Sequence, residues 1–165
     1  MMKTTMASCC ALALLTGLSL VATAAGSDNP VSVETPAYDK ALAHALGADK
    51  YGMKPYVMAF LKAGPNRSGS KEQRAELQRA HMSHIQRLAH EGKLVLAGPF
   101  IDGGEWRGIY IFDVASLAEA EAEALTASDP AVQAGSLIME LKAWYGSAAL
   151  LEVNRIHAWI AESQP

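Results

Sequence analysis

The sequence predicts an α+β domain with the element order β-α-β-β-α-β. Three observations carry this: two serine capping boxes that open helices, four short apolar segments bounded by turn residues, and a third segment apolar on both faces. Taken in order, "KPYVMAFLKAG" (54–64) is rich in apolar and aromatic residues and reads as the first strand. "PNRSGS" (65–70) is a loop. Ser70 and Gln73 form a capping box, so a helix starts there. It runs to about Glu91 and stops at Gly92, a glycine suited to the position after a helix end. Leu77, His81, His84, Ile85 and Leu88 share one face at helical spacing.

"KLVLAGPF" (93–100) is the second strand, "IDGGE" a hairpin turn and "EWRGIYIFDV" (105–114) the third strand. Ser116 and Glu119 form a second capping box, opening a helix to about Ser128. "DPAVQAG" interrupts it, and "SLIMELKAWY" (136–145) is the fourth strand. This order is the split βαβ arrangement of the ferredoxin-like fold. The tail, 147–165, adds a helix with Leu150, Val153, Ile156, His157 and Ile160 at helical intervals. On the third strand Tyr110 and Phe112 face one way and Ile109 and Ile111 the other. Two helices cover only one side of such a sheet. A second copy packed sheet to sheet is the simplest cover for the other, with the C-terminal segment as the alternative.

The start of the chain reads as a secretory signal over residues 1–24. Lys3 supplies a positive n-region, Ala7 to Val21 an apolar run, and Ala22-Thr23-Ala24 the small-x-small form that signal peptidases cut. The run falls short of the roughly 20 residues a spanning helix needs. The mature protein is therefore expected to be periplasmic or secreted, with no membrane attachment after cleavage. Cys9 and Cys10 are the chain's two cysteines, and both fall in the removed part. The mature chain then has no disulfide, thiolate metal site or cysteine nucleophile. Residues 25–52 read as a leader with a short helix in 37–52, ending at Gly47 or Gly52. A net charge of −3 argues against nucleic acid as a partner, which needs a basic face. The sequence holds no Gly-rich phosphate loop, His-Glu-x-x-His, Gly-x-Ser-x-Gly or internal repeat. No cofactor and no metal are expected.

Three stretches carry a family resemblance: "HMSHIQRLAHEGKLVLAGPF", "RGIYIFDVASLAEAEAEAL" and "DPAVQAGSLIMELKAWYG". His81 stands sixteen residues before the Ala97-Gly98-Pro99 motif, and Asp129-Pro130 is followed by Ala134-Gly135. In this order and spacing, residues 53–146 resemble the YCII-related proteins, a family of small dimeric α+β barrel domains. The resemblance implies an enzyme that carries one histidine and one aspartate, here His81 and Asp129. It implies a homodimer and a small-molecule ligand. Where the family often has a basic residue three before the histidine, this chain has Gln78, with Arg79 adjacent.

An imidazole on the sheet-facing side of the helix can take or give a proton near neutral pH. A carboxylate on its other ring nitrogen would fix the tautomer and stabilise the imidazolium. The plain alternative for His81 is a buried core histidine with satisfied hydrogen bonds. For Asp129 it is a helix cap, since Asp before Pro is a standard helix start. His81 and His84 are one turn apart but make only half a metal site, as zinc takes at least three protein ligands. His84, Gly98, Pro99, Arg107 and Glu140 are the candidate pocket residues. His90, near the helix C-terminus, is accounted for by the helix dipole.

The leading expectation is a small-molecule enzyme using His81 and Asp129 for acid–base proton transfer, lyase- or isomerase-like. The alternative is a non-catalytic dimeric ligand-binding or assembly domain. A third idea, heme binding, follows from other proteins of this barrel fold that use a helix histidine as axial ligand. No further motif supports it.

Overall fold

Each element begins where its local chemistry dictates. The computed structural model describes residues 37–114, 116–117 and 125–163. The signal segment, residues 25–36 of the leader, and Glu119 of the second capping box lie outside the described residues. Asp39 caps helix α1 (Lys40–Ala45) by accepting from the Leu42 amide. That helix ends before Gly47, whose φ of 63° turns the chain out of it. Strand β1 spans Met53–Ala63. Helix α2 (Lys71–His90) opens with both halves of the expected box: Ser70 Oγ accepts from the Gln73 amide and Gln73 Oε1 from the Ser70 amide. It ends at the cap Glu91, with Gly92 at φ 72°.

Strands β2 (Leu94–Pro99) and β3 (Trp106–Phe112) follow as a hairpin. Residues 125–127 are helical, at the position expected for the end of the second helix. A one-turn helix α3 (Pro130–Gln133) then leads into strand β4 (Leu137–Ser147). β4 outruns its expected end at Tyr145, because its pairing with β1 continues to Met53 opposite Ser147. The tail is not one helix. Ser147 accepts from the Ala149 amide and starts a 3-10 turn (Ala148–Glu152), which continues as helix α4 (Val153–Ile160). No helix among the described residues is long and apolar enough to cross a membrane.

The four strands form one antiparallel sheet in the order β2-β3-β1-β4. β1 lies inside, between the hairpin and the returning strand. This is the ferredoxin-like α+β arrangement, with an extra C-terminal helix. Strand alternation sends Val57, Ala59 and Leu61 toward α2, where they pack with Leu88, Leu94, Tyr110, Phe112, Val114 and Leu125. Leu88 is wholly buried there, a contribution of roughly 1.5–3 kcal/mol for such a side chain.

On the opposite face Tyr56, Val95 and Ile111 are covered by Leu150 and Leu151 of the tail. Asn154 on α4 donates to the Leu94 carbonyl at 2.8 Å and pins the tail to the edge strand. The cover is partial. Ile138 and Trp144 on the same face of β4 keep 48% and 36% of their surface exposed.

Candidate functional site

The sheet-facing side of α2 is the one expected from its spacing: His81, His84 and Leu88 are buried, and Leu77 and Ile85 are half-buried. This side puts the His81 ring against two groups from distant parts of the chain. Its Nδ1 stands 2.9 Å from both carboxylate oxygens of Asp129. Its Nε2 stands 3.2 Å from the Tyr110 hydroxyl on β3. The two rings lie nearly parallel, 6.3 Å apart.

Asp129 reaches this position through the turn between residues 125–127 and α3. It is the N-cap of α3, with Pro130 in the first helical position. Its Oδ1 accepts from the Ala131 amide at 2.8 Å while both oxygens face His81. The side chain is completely buried. Capping and histidine contact therefore coexist on one carboxylate.

With Asp129 as a carboxylate, which only accepts, the network assigns the hydrogen to Nδ1 of His81. In the neutral ring Nε2 then holds the lone pair, and the Tyr110 O–H donates to it. Burial, and secondarily the Asp129 charge, pushes the Tyr110 phenol well above its usual range, so it stays protonated and able to donate. Tyr110 is a member of the site that the sequence analysis does not single out. Its signal is present nonetheless: a hydroxyl on an otherwise hydrocarbon strand face must find a partner when buried.

The other candidates divide. His84 is buried, but both ring nitrogens are engaged elsewhere. Nε2–H donates to the Leu125 carbonyl at 3.1 Å, and Arg87 donates to Nδ1 at 3.1 Å. It ties α2 to the helical turn at 125–127 and does not pair with His81. Among the described residues no group of three His, Cys, Asp or Glu side chains could hold a metal ion.

Glu140 is not brought to the site. Arg107 is the extra residue of a β-bulge between the Leu61–Gly108 and Lys62–Trp106 pairs, where alternation no longer assigns a face. Glu140 alternates with Met139 and Leu141, which pack against the α2-side core. On the opposite face it bonds Lys62 and Lys142, each at 2.8 Å, and these two ammonium groups hold its carboxyl down to about 2. Gly98 and Pro99 lie on the edge strand opposite Ile109 and Gly108. The close approach of the two strands depends on Gly108: a Cβ there would stand 2.4 Å from the Gly98 carbonyl oxygen, whereas a Cβ on Gly98 would meet nothing within 4 Å.

Access to the histidine is narrow, with 11% of its side chain exposed. Two open clefts adjoin α2. One, of about 310 Å³, lies over Gln78, Arg79, Met82, Ser83 and Gln86. The other, of about 390 Å³, lies at the start of the helix and includes Leu77. His81 lines neither.

Comparison with known proteins bears on the family. No curated protein matches the chain. Among solved structures, one similar to part of it is 5-chloro-2-hydroxyhydroquinone dehydrochlorinase from Burkholderia phenoliruptrix AC1100, in complex with 2,5-dihydroxybenzoquinone. It is 22% identical with a TM-score of 0.41, over 54% of this chain and 92% of that one. The model of the YCII-related domain matches residues 56–145, from the core of β1 to the exposed end of β4. That span is more than half of the chain and contains His81, Tyr110 and Asp129, so the protein belongs to the YCII-related family.

Proposed function

We propose that this domain is a small-molecule enzyme in which His81, oriented by Asp129, transfers a proton in a lyase- or isomerase-type step. The observation that carries this reading is the approach of both Asp129 oxygens to Nδ1 of His81, at 2.9 Å. A carboxylate so placed holds the Nδ1–H tautomer, leaves Nε2 basic, and stabilises the imidazolium that forms when Nε2 takes a proton. The Tyr110 O–H faces that lone pair, and a carbon acid takes its place there. The carbon's electron pair then expels a leaving group from the neighbouring atom, or His81 returns the proton at another carbon. No cofactor enters this proposal.

The working unit in this reading is an exported homodimer, periplasmic or secreted, cleaved after Ala24. Support for the dimer is the half-covered second face of the sheet, where Ile138 and Trp144 remain exposed. The test is H81Q, assayed on a panel of carbon acids and β-elimination substrates. A fall of about 100-fold or more on a true substrate, with the fold intact, is expected. A folded H81Q as active as the parent would end the reading.

One observation favours a second reading. Tyr110, His81 and Asp129 are 3%, 8% and 0% exposed and join α2, β3 and the turn before α3. In a non-catalytic ligand-binding or assembly domain this trio would be a structural clasp. H81Q would then lower stability or ligand affinity, and the parent would turn over nothing on the panel.

A further inference from the structure

We propose that the cleft at the start of α2 binds the anionic group of the substrate, a carboxylate or phosphate monoester, through Arg67 and Arg74. The word substrate rests on the proton-transfer reading above; the anion site stands on its own geometry. The cleft, about 390 Å³, is lined by Asn66, Arg67, Ser68, Arg74, Leu77 and Ser136 among others.

Its walls are held together from two sides. Asn66 donates through Nδ2 to the Ala134 carbonyl at 2.8 Å and through its amide to the Gly135 carbonyl at 3.0 Å. The Ser68 amide and hydroxyl both donate to Asn66 Oδ1. At the base, Gly64 lies so close to the facing turn that a Cβ there would stand 2.2 Å from the Gly135 oxygen.

No carboxylate among the described residues pairs with the arginines of this cleft. Among the described residues the ion-paired arginines are Arg79, Arg87 and Arg155, with Glu76, Glu91 and Glu152. Arg67 and Arg74 have no such partner among those residues. Arg74 spends one donor, Nη1, on the Gly69 carbonyl, which leaves most of its guanidinium fork available. The neighbouring acid, Glu72, accepts from the Ser70 hydroxyl and does not line the cleft. In a chain of net charge −3, two guanidiniums lining one cleft with no acidic partner among the described residues are a local device and not a general basic surface. The amides at the start of α2 are partly taken by its own capping box, so the guanidiniums carry the recognition.

The cleft is joined to the proton-transfer site along both of its walls. Leu77 precedes His81 by one helical turn on the same face. Ser136 Oγ donates to the carbonyl of Ala131, whose amide is held by Asp129. Arg74 stands two turns before His81, about 10 Å along the helix axis. Its guanidinium reaches back to Gly69, so the fitting substrate is an elongated anion with its charged group at least about 10 Å from the reacting carbon.

The test is calorimetric titration of the mature protein at constant ionic strength, with inorganic phosphate in one arm and butyrate in the other. The arm that saturates tells phosphate from carboxylate recognition. R67Q/R74Q is expected to weaken that binding about tenfold or more, while R67K/R74K keeps most of it. H81Q and R79Q should stay within about twofold of the parent, since neither residue lines this cleft. Absence of saturable binding in both arms, full binding by R67Q/R74Q, or an equal loss in R79Q would overturn the proposal. Loss of turnover in H81Q without any anion binding removes this proposal alone. Anion binding beside a fully active H81Q removes the proton-transfer reading alone.

Discussion

Replacing Asp129 separates its two jobs. In D129A the turn loses its cap on the Ala131 amide, about 1 kcal/mol. It also loses a charge-assisted bond to His81, roughly 1.5–3 kcal/mol, and leaves a nearly buried Nδ1–H without a partner. Relief of the buried carboxylate's desolvation offsets part of this, so the net loss is about 3 kcal/mol. D129N keeps the shape and the carbonyl oxygen that caps Ala131. Its amide nitrogen faces Nδ1, so the ring must move its proton to Nε2 and donate to the Tyr110 oxygen. The charge assistance is lost, and the buried Tyr110 O–H loses Nε2 as its acceptor, together about 2 kcal/mol. Urea unfolding followed by circular dichroism reads both variants, with unchanged m-values as the check that the native and unfolded states are comparable. The expected order is parent, then D129N about 2 kcal/mol below, then D129A about 3 kcal/mol below. D129A within 1 kcal/mol of the parent, or D129N as damaged as D129A, would refute the dual role.

Three further outcomes follow from the same structure. L88A removes a wholly buried side chain from the centre of the α2-side core and should cost about 2–5 kcal/mol in the same unfolding experiment. Glu140 should titrate in the native protein near 2, against an ordinary value of 4.5, because Lys142 and Lys62 bond its carboxylate. The depressed native value means that its contribution is complete above pH 4.5 and is lost as pH falls through about 2. Carboxyl-carbon NMR would follow it, and K62Q or added salt should move the midpoint upward. I138E places a charge on the half-exposed second face of the sheet and should convert a homodimer to a monomer in sedimentation; an unchanged dimer would place the interface elsewhere.

Much of the architecture is legible because its signals are local. The Ser70–Gln73 box fixes the start of α2, and the spacing of Leu77, His81, His84 and Leu88 fixes the face it buries. The Asp129-Pro130 pair marks a helix start that the structure contains. The meeting of His81 and Asp129 is not local. It spans 48 residues and depends on how residues 125–136 turn beside α2. Tyr110 joins the site for the same reason, since alternation assigns its face without saying which helical residue lies above it. Arg107 is a different case: a β-bulge between Trp106 and Gly108 breaks the alternation there, and the sequence carries no signal for it. Glu140 needs the strand order, because only the pairing of β4 with β1 decides which of its faces meets α2. The split of the tail turns on a single serine cap at Ser147, which competes with a continuous helix.

The central claim concerns one atom, the unprotonated Nε2 of His81. Long-range proton–nitrogen NMR of the protein, with His81 assigned through H81Q, reads the tautomer directly at neutral pH. The account predicts that the neutral ring carries its hydrogen on Nδ1 and a lone pair on Nε2. A neutral ring with its hydrogen on Nε2 would contradict it.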